Sequence, residues 1–203
     1  MSGRHKTDVA LVLLAAGASN RFGRPKQLIP FKGHSLLRHL AEVALASNAA
    51  SVHIVLGAYA EFLKHQLHGL KVRTVVNPDW NSGISSSVRT GVKDLSRSVK
   101  AVLLVLCDQP YVTSQLLNRM IETFEKKRKL IVACEYENAL GVPALFDRKL
   151  FGELETLSGD RGARQVIMRH RNEVASIPFP EGSIDIDTPE DLPDTKHSFQ
   201  EDI

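Results

Sequence analysis

Short apolar runs recur along this chain with helix-spaced segments between them, and that alternation restricts the fold more than any other property of the sequence. Residues 9–14 (Val-Ala-Leu-Val-Leu-Leu), 52–56, 72–76, 101–106 and 130–134 each read as a strand. Between them, Ser35 opens a helical segment whose Leu37, Leu40 and Ala44 share one face. Residues 59–67 and 85–95 also read as helices, and 114–127 sets Leu117, Met120, Ile121 and Phe124 on one side. Right-handed βαβ crossovers produce this alternation, so the expected class is α/β with a mostly parallel sheet. Beyond Gly141 the pattern predicts a short extended piece, two helices flanking residues 159–162, and a strand near 174–177. Thr188-Pro-Glu-Asp191 reads as a capped helix start, and residues from about 193 as a loose polar tail.

In open α/β sheets, ligands sit beyond the carboxyl ends of the strands. The loop leaving the first strand is Leu14-Ala-Ala-Gly-Ala-Ser-Asn-Arg-Phe-Gly-Arg-Pro-Lys26. Gly17 and Gly23 let the main chain turn sharply and approach a ligand, and backbone N–H groups in such a turn can wrap phosphate oxygens. Arg21 and Lys26 add two cations. Neither the P-loop spacing nor Gly-x-Gly-x-x-Gly occurs, so this is not either of the common phosphate loops. A plain strand-to-helix connection with solvated cations is the competing reading.

Composition narrows the functional classes. The 203 residues suit one domain, 1–203, with a substantial core. A net charge of +3 gives no electrostatic case for nucleic acid, and the one basic run, Lys126-Lys-Arg-Lys129, falls where cations favour a helix end. Cys107 and Cys134 fit no metal or disulfide framework, as expected for buried thiols in a reducing cytoplasm. No run reaches the length of a membrane span. Arg4, Lys6 and the apolar residues that follow have the outline of a signal peptide, but cleavage at Ala16-Gly-Ala18 would remove the glycine loop.

The spacing Gly17-x-x-x-Arg21-x-Gly23-x-x-Lys26 resembles the signature loop of nucleotidyltransferases that attach a nucleotide to molybdopterin. Asn77-Pro-Asp-Trp-Asn-Ser-Gly83, Ser85-Ser-Ser-Val-Arg-Thr-Gly91, Cys107-Asp-Gln-Pro110, Gly141-Val-Pro143, Gly159-Asp-Arg-Gly-Ala-Arg164 and Asp185-Ile-Asp-Thr-Pro-Glu-Asp-Leu192 extend the likeness over most of the chain. Leu14-Ala15-Ala16-Gly17, where related guanylyltransferases commonly carry Leu-Ala-Gly-Gly, together with Gln109, resembles the molybdenum cofactor cytidylyltransferase branch. The resemblance implies a Rossmann-like three-layer sandwich of the nucleotide-diphospho-sugar transferase type. It places the nucleotide on the N-terminal part and the acceptor on about 135–190.

It also implies a chemistry: transfer of CMP from CTP to the terminal phosphate of molybdopterin, releasing pyrophosphate, in the cytoplasm. Arg21, Lys26 and Asp108 are the implied catalytic residues. Leu14, Ala15, Ala16, Gly17, Ala18, Asn77, Gly83 and Ser87 would hold the nucleotide, with Arg161 and Arg164 on the molybdopterin side. Asp108 and Asp187 would hold Mg²⁺, with Asp185 in reserve. A recipient molybdoenzyme is the implied protein partner. A phosphate acceptor is already anionic at neutral pH, so no general base is required. Phe22 stands where the family usually has Met, and Asn138 where a glycine is common. Transfer to another phosphorylated acceptor, guanylyl transfer, and non-catalytic carriage of the cofactor are the alternatives.

Overall fold

β1 (Val9–Ala15) is buried along its whole length because helices cover both faces of the sheet it centres. Val9, Leu11 and Leu13 enter one apolar cluster, and Ala10, Val12 and Leu14 the other, as a period of two requires. The computed structural model describes residues 7–19 and 25–184. In chain order β1 is followed by a small hairpin, β2 (Pro30–Phe31) and β3 (His34–Ser35), then α1 (Leu36–Ala46), β4 (Ser51–Leu56), α2 (Ala60–Gln66) and β5 (Arg73–Val76). Then come α3 (Ile84–Lys93), β6 (Ala101–Leu106), α4 (Ser114–Lys127), β7 (Ile131–Tyr136), β8 (Ala139–Asp147), α5 (Phe151–Glu155), α6 (Arg164–Arg169) and β9 (Val174–Pro178).

The main sheet has the order β5-β4-β1-β6-β8-β7-β9. All its neighbours pair in parallel except where β8 lies antiparallel between β6 and β7. Residues of α1 and α4 pack with the first cluster, and those of α3, α5 and α6 with the second. Side-chain caps start two of these helices, one at the Ser35 expected from sequence and the other at Thr113. Ser35 Oγ accepts from the Arg38 N–H at 3.3 Å, and Thr113 Oγ1 from that of Leu116 at 3.2 Å.

One expectation is corrected. The stretch around Gly141 is a nine-residue strand, not a short extended piece. Gly141 and Pro143 look like breakers in sequence, but β8 accommodates them where the pairing with β7 shifts register between Ala133 and Cys134. The Val142–Pro143 peptide is cis.

The chain leaves β1 toward β4 on one side and reaches β6 on the other. That makes the carboxyl ends of β1 and β6 a topological switch point, where a crevice opens.

Candidate functional site

A cavity of about 350 Å³ occupies that crevice. Three connections meet in it: residues 14–19 with Lys26 and Gln27 after β1, Trp80 to Ser87 after β5, and Leu106 to Asp108 after β6. Asp160, from the connection between α5 and α6, completes the lining. Of the residues singled out in sequence, Leu14, Ala15, Ala16, Gly17, Ala18, Lys26, Gly83, Ser87 and Asp108 line it. Arg21, Asp185 and Asp187 lie outside the described residues.

The first loop is fastened from below. The Gln27 side-chain amide donates to the carbonyls of Ala15 at 3.0 Å and Gly17 at 2.8 Å, which fixes the turn and engages those oxygens. Ser19 Oγ accepts from the Lys26 N–H at 3.1 Å. A side chain at Gly17 would meet no protein atom within 4 Å, so the loop leaves open space there.

The second wall depends on Asn77, which is buried behind the cavity rather than lining it. Its Nδ2 donates to Ser86 Oγ at 2.8 Å and Ser87 Oγ at 3.1 Å, and its Oδ1 accepts from the Asp79 N–H at 3.0 Å. Ser86 Oγ in turn donates to the Gly83 carbonyl at 2.8 Å, so of the three serines only Ser87 lines the cavity.

Gly83 has φ +89° and lies against the residue 159–160 turn. A Cβ there would come within 2.9 Å of the Gly159 carbonyl oxygen and closer still to Asp160 Oδ1. The Gly159 carbonyl also accepts from the Ser85 N–H at 3.2 Å, so the start of α3 is already partly capped.

Arg161 and Arg164 are exposed and do not line the cavity. Gln109 is buried, and its amide donates to the carbonyls of Val142 at 3.0 Å and Gly182 at 3.2 Å. It ties β8 to the segment after β9 and lines no part of the cavity. Gly141 to Pro143 likewise lie within β8 and not on the cavity wall. Sequence reasoning missed Gln27 and Asp160. Gln27 follows Lys26 directly, yet nothing in a polar side chain at that position signals that it clamps the loop before it.

The donor set suits a hard divalent cation. Asp108 sits at the exit of β6 on the cavity wall, with Asp160 on a facing connection. Among the described residues no group of three or more His, Cys, Asp or Glu side chains is close enough to hold a metal by itself. Magnesium-type ions are bound through one or two carboxylates, with phosphates and water supplying the rest. Cys107, beside Asp108, is kept as a thiol: burial pushes its pKa up, and the neighbouring carboxylate adds to the effect. Thiolate chemistry is thereby disfavoured at this wall.

A mostly parallel doubly wound sheet with this cavity at its switch point defines a protein of the nucleotide-diphospho-sugar transferase fold. Residues 11–174 match the MobA-like NTP transferase domain, and the chain belongs to that family. A curated relative, nicotine blue oxidoreductase of Paenarthrobacter nicotinovorans, is 36% identical over 79% of this chain and 81% of its own length. A probable molybdenum cofactor guanylyltransferase of Nostoc sp. is 28% identical over 91% and 89% respectively. The crystal structure of Rv0371c from Mycobacterium tuberculosis superposes with a TM-score of 0.80, at 30% identity over 92% of this chain and 96% of that one. A complex of Rv0371c with manganese gives 0.76, at 28% identity over 91% and 96%. Among the described residues no helix is long and apolar enough to cross a membrane.

Proposed function

We propose that the protein is a divalent-metal-dependent cytidylyltransferase that moves CMP from CTP to the terminal phosphate of molybdopterin and releases pyrophosphate. The observation that carries this reading is the meeting of the Gly17 loop, Lys26, Ser87 and Asp108 around one cavity at the switch point of the sheet. Lys26 and the clamped loop after β1 would face the triphosphate and meet the charge that develops on the departing pyrophosphate. Arg21 would add a second cation. Ser87, held by Asn77, would position the nucleoside. Asp108, joined by Asp187, would hold Mg²⁺ or Mn²⁺, which when bound neutralises phosphate charge. Manganese in the Rv0371c crystal supports a divalent ion of this kind. The acceptor anion attacks the α-phosphorus, one P–O bond forms as another breaks, and no protein base need take a proton.

In this proposal residues 1–203 form one cytoplasmic domain, with the acceptor on about 135–190. Ala16 lining the cavity favours the smaller base, because its methyl group takes room that a glycine would leave. Guanylyl transfer is the second reading, supported by the relative named as a guanylyltransferase. The identity with nicotine blue oxidoreductase supports a third, a redox activity at the same cavity.

Pyrophosphate release from CTP, GTP and ATP, with and without molybdopterin and with magnesium supplied, separates the first two. Turnover of nicotine blue with an electron donor supplied tests the third. The expected result is molybdopterin-dependent pyrophosphate release that is faster with CTP. Asp108→Asn should lower that turnover by about 10²–10³-fold without altering the circular dichroism spectrum. No release from any triphosphate, with nicotine blue consumed, would replace the proposal by the oxidoreductase reading.

A further inference from the structure

The cavity lining is chemically mixed. Lys26, Asp108, Asp160 and the turn at residues 17–19 are polar, whereas Ala16, Trp80 and Ile84 are apolar. Trp80 is half-buried and packs on the second apolar cluster, so one part of it is anchored in the protein while another faces the cavity.

The short helical turn that carries it, Trp80–Ser82, is fixed at both sides. The Asp79 N–H is bound by Asn77 Oδ1, and the Ser82 N–H donates to the Asp79 carbonyl at 2.9 Å. Gly57, at the end of β4, lets the wall close. A Cβ on Gly57 would lie 2.5 Å from Trp80 Cβ, 2.7 Å from the Ala16 carbonyl oxygen and 2.8 Å from Ala16 Cβ. Trp80 and Ala16 are therefore drawn together over a position that only glycine can occupy.

An indole seated in this way, next to Ala16, offers the cavity an aromatic surface. The geometry points to Trp80 as the platform on which the nucleobase stacks, with the triphosphate running toward Lys26 and Asp108. This rests on the nucleotide reading above and deepens it. Every base has a π-face, so stacking supplies affinity and leaves discrimination between bases to other groups.

Trp80 is the sole tryptophan of the chain, so tryptophan emission, excited selectively over the three tyrosines, reports on this wall alone. The test is calorimetric titration of the full chain with CTP, GTP and inorganic tripolyphosphate, all with magnesium chloride, for wild type, Trp80→Ala and Trp80→Phe. Thermal melts confirm that both variants fold. Trp80→Ala should weaken CTP and GTP by about 5- to 150-fold while moving tripolyphosphate by less than about two-fold. Trp80→Phe should recover most of the loss. In the wild type, CTP should quench tryptophan emission more than tripolyphosphate does.

An equal loss for all three ligands in Trp80→Ala, or undiminished CTP binding, overturns the platform. So does a wild type that binds tripolyphosphate as tightly as CTP. A wild type that binds none of the three overturns the nucleotide reading and the platform with it.

Discussion

Asn77 and Asp108 differ in how they act on the cavity, and their variants should differ accordingly. Asp108 is on the wall, where its carboxylate meets whatever enters. Asn77 is 1% exposed and acts through Ser86, Ser87 and the Asp79 amide. Removing it leaves buried groups without partners, a cost of about 1–3 kcal/mol. Asn77→Ala should therefore lower the midpoint of urea unfolding and raise the KM for nucleotide by about ten-fold, corresponding to about 1.4 kcal/mol, with a smaller change in kcat. Equal losses in kcat and kcat/KM would mean that Asn77 acts in the transition state.

Residues 14–18 and Asp108 were legible in sequence, because glycines and a strand-end carboxylate carry local signals that need no tertiary knowledge, whereas Ser87 was singled out among three serines only by the family resemblance. Gln27, Asp160 and the buried position of Asn77 were not legible. Each depends on which distant backbone its side chain reaches, and spacing along the chain does not encode that.

At the scale of elements, the opposite end of the sheet holds a separate polar cluster. His53 on β4 places Nδ1 2.8 Å from Asp94 Oδ2 and Nε2 3.1 Å from Ser51 Oγ. Arg73 on β5 grips both Asp94 oxygens, at 2.6 and 2.7 Å. The order serine, histidine, aspartate is that of a hydrolytic triad, but here the carboxylate is forked by a guanidinium and the group joins β4, β5 and the end of α3. Its role is to hold an edge strand.

Burial opposes the charged form of Asp94, yet the hydrogen bonds from Arg73 and His53 outweigh it and hold its carboxyl below the usual range. A depressed folded pKa stabilises the protein above the unfolded value of about 3.9 and loses that contribution as pH falls through the folded value. Asp94→Asn should cost about 1.5–3 kcal/mol at pH 7, and the gap to wild type should narrow as unfolding is repeated below about pH 4. A gap independent of pH would show that charge is not its source.

The strands of the main sheet other than β8, and the helices between them, were readable from the alternation of patterns, whereas the two-residue strands β2 and β3 were too short to leave one. β8 was not readable, since its antiparallel run begins with residues that mark turns when no partner strand is in view.

For the molecule as a whole, the two cysteines serve as reporters of opening. Burial pushes the Cys134 thiol up to about 12, and Cys107 is raised as well. Both are 7% exposed or less. Neither should react with a thiol reagent at pH 8 in native buffer, and both should react at once in denaturant. The slow native rate should then follow the global unfolding equilibrium under conditions where opening is fast. Rapid labelling of Cys107 alone would reveal local breathing of the cavity wall.

Because only β8 runs against its neighbours in the main sheet, β1, β4, β5, β6, β7 and β9 all discharge their chains onto a common rim. A second substrate arriving along that rim could reach the Asp108 wall without passing around a sheet edge. Lengthening the connection that follows β7 would thus reshape that approach while leaving the residues of the cavity wall in place.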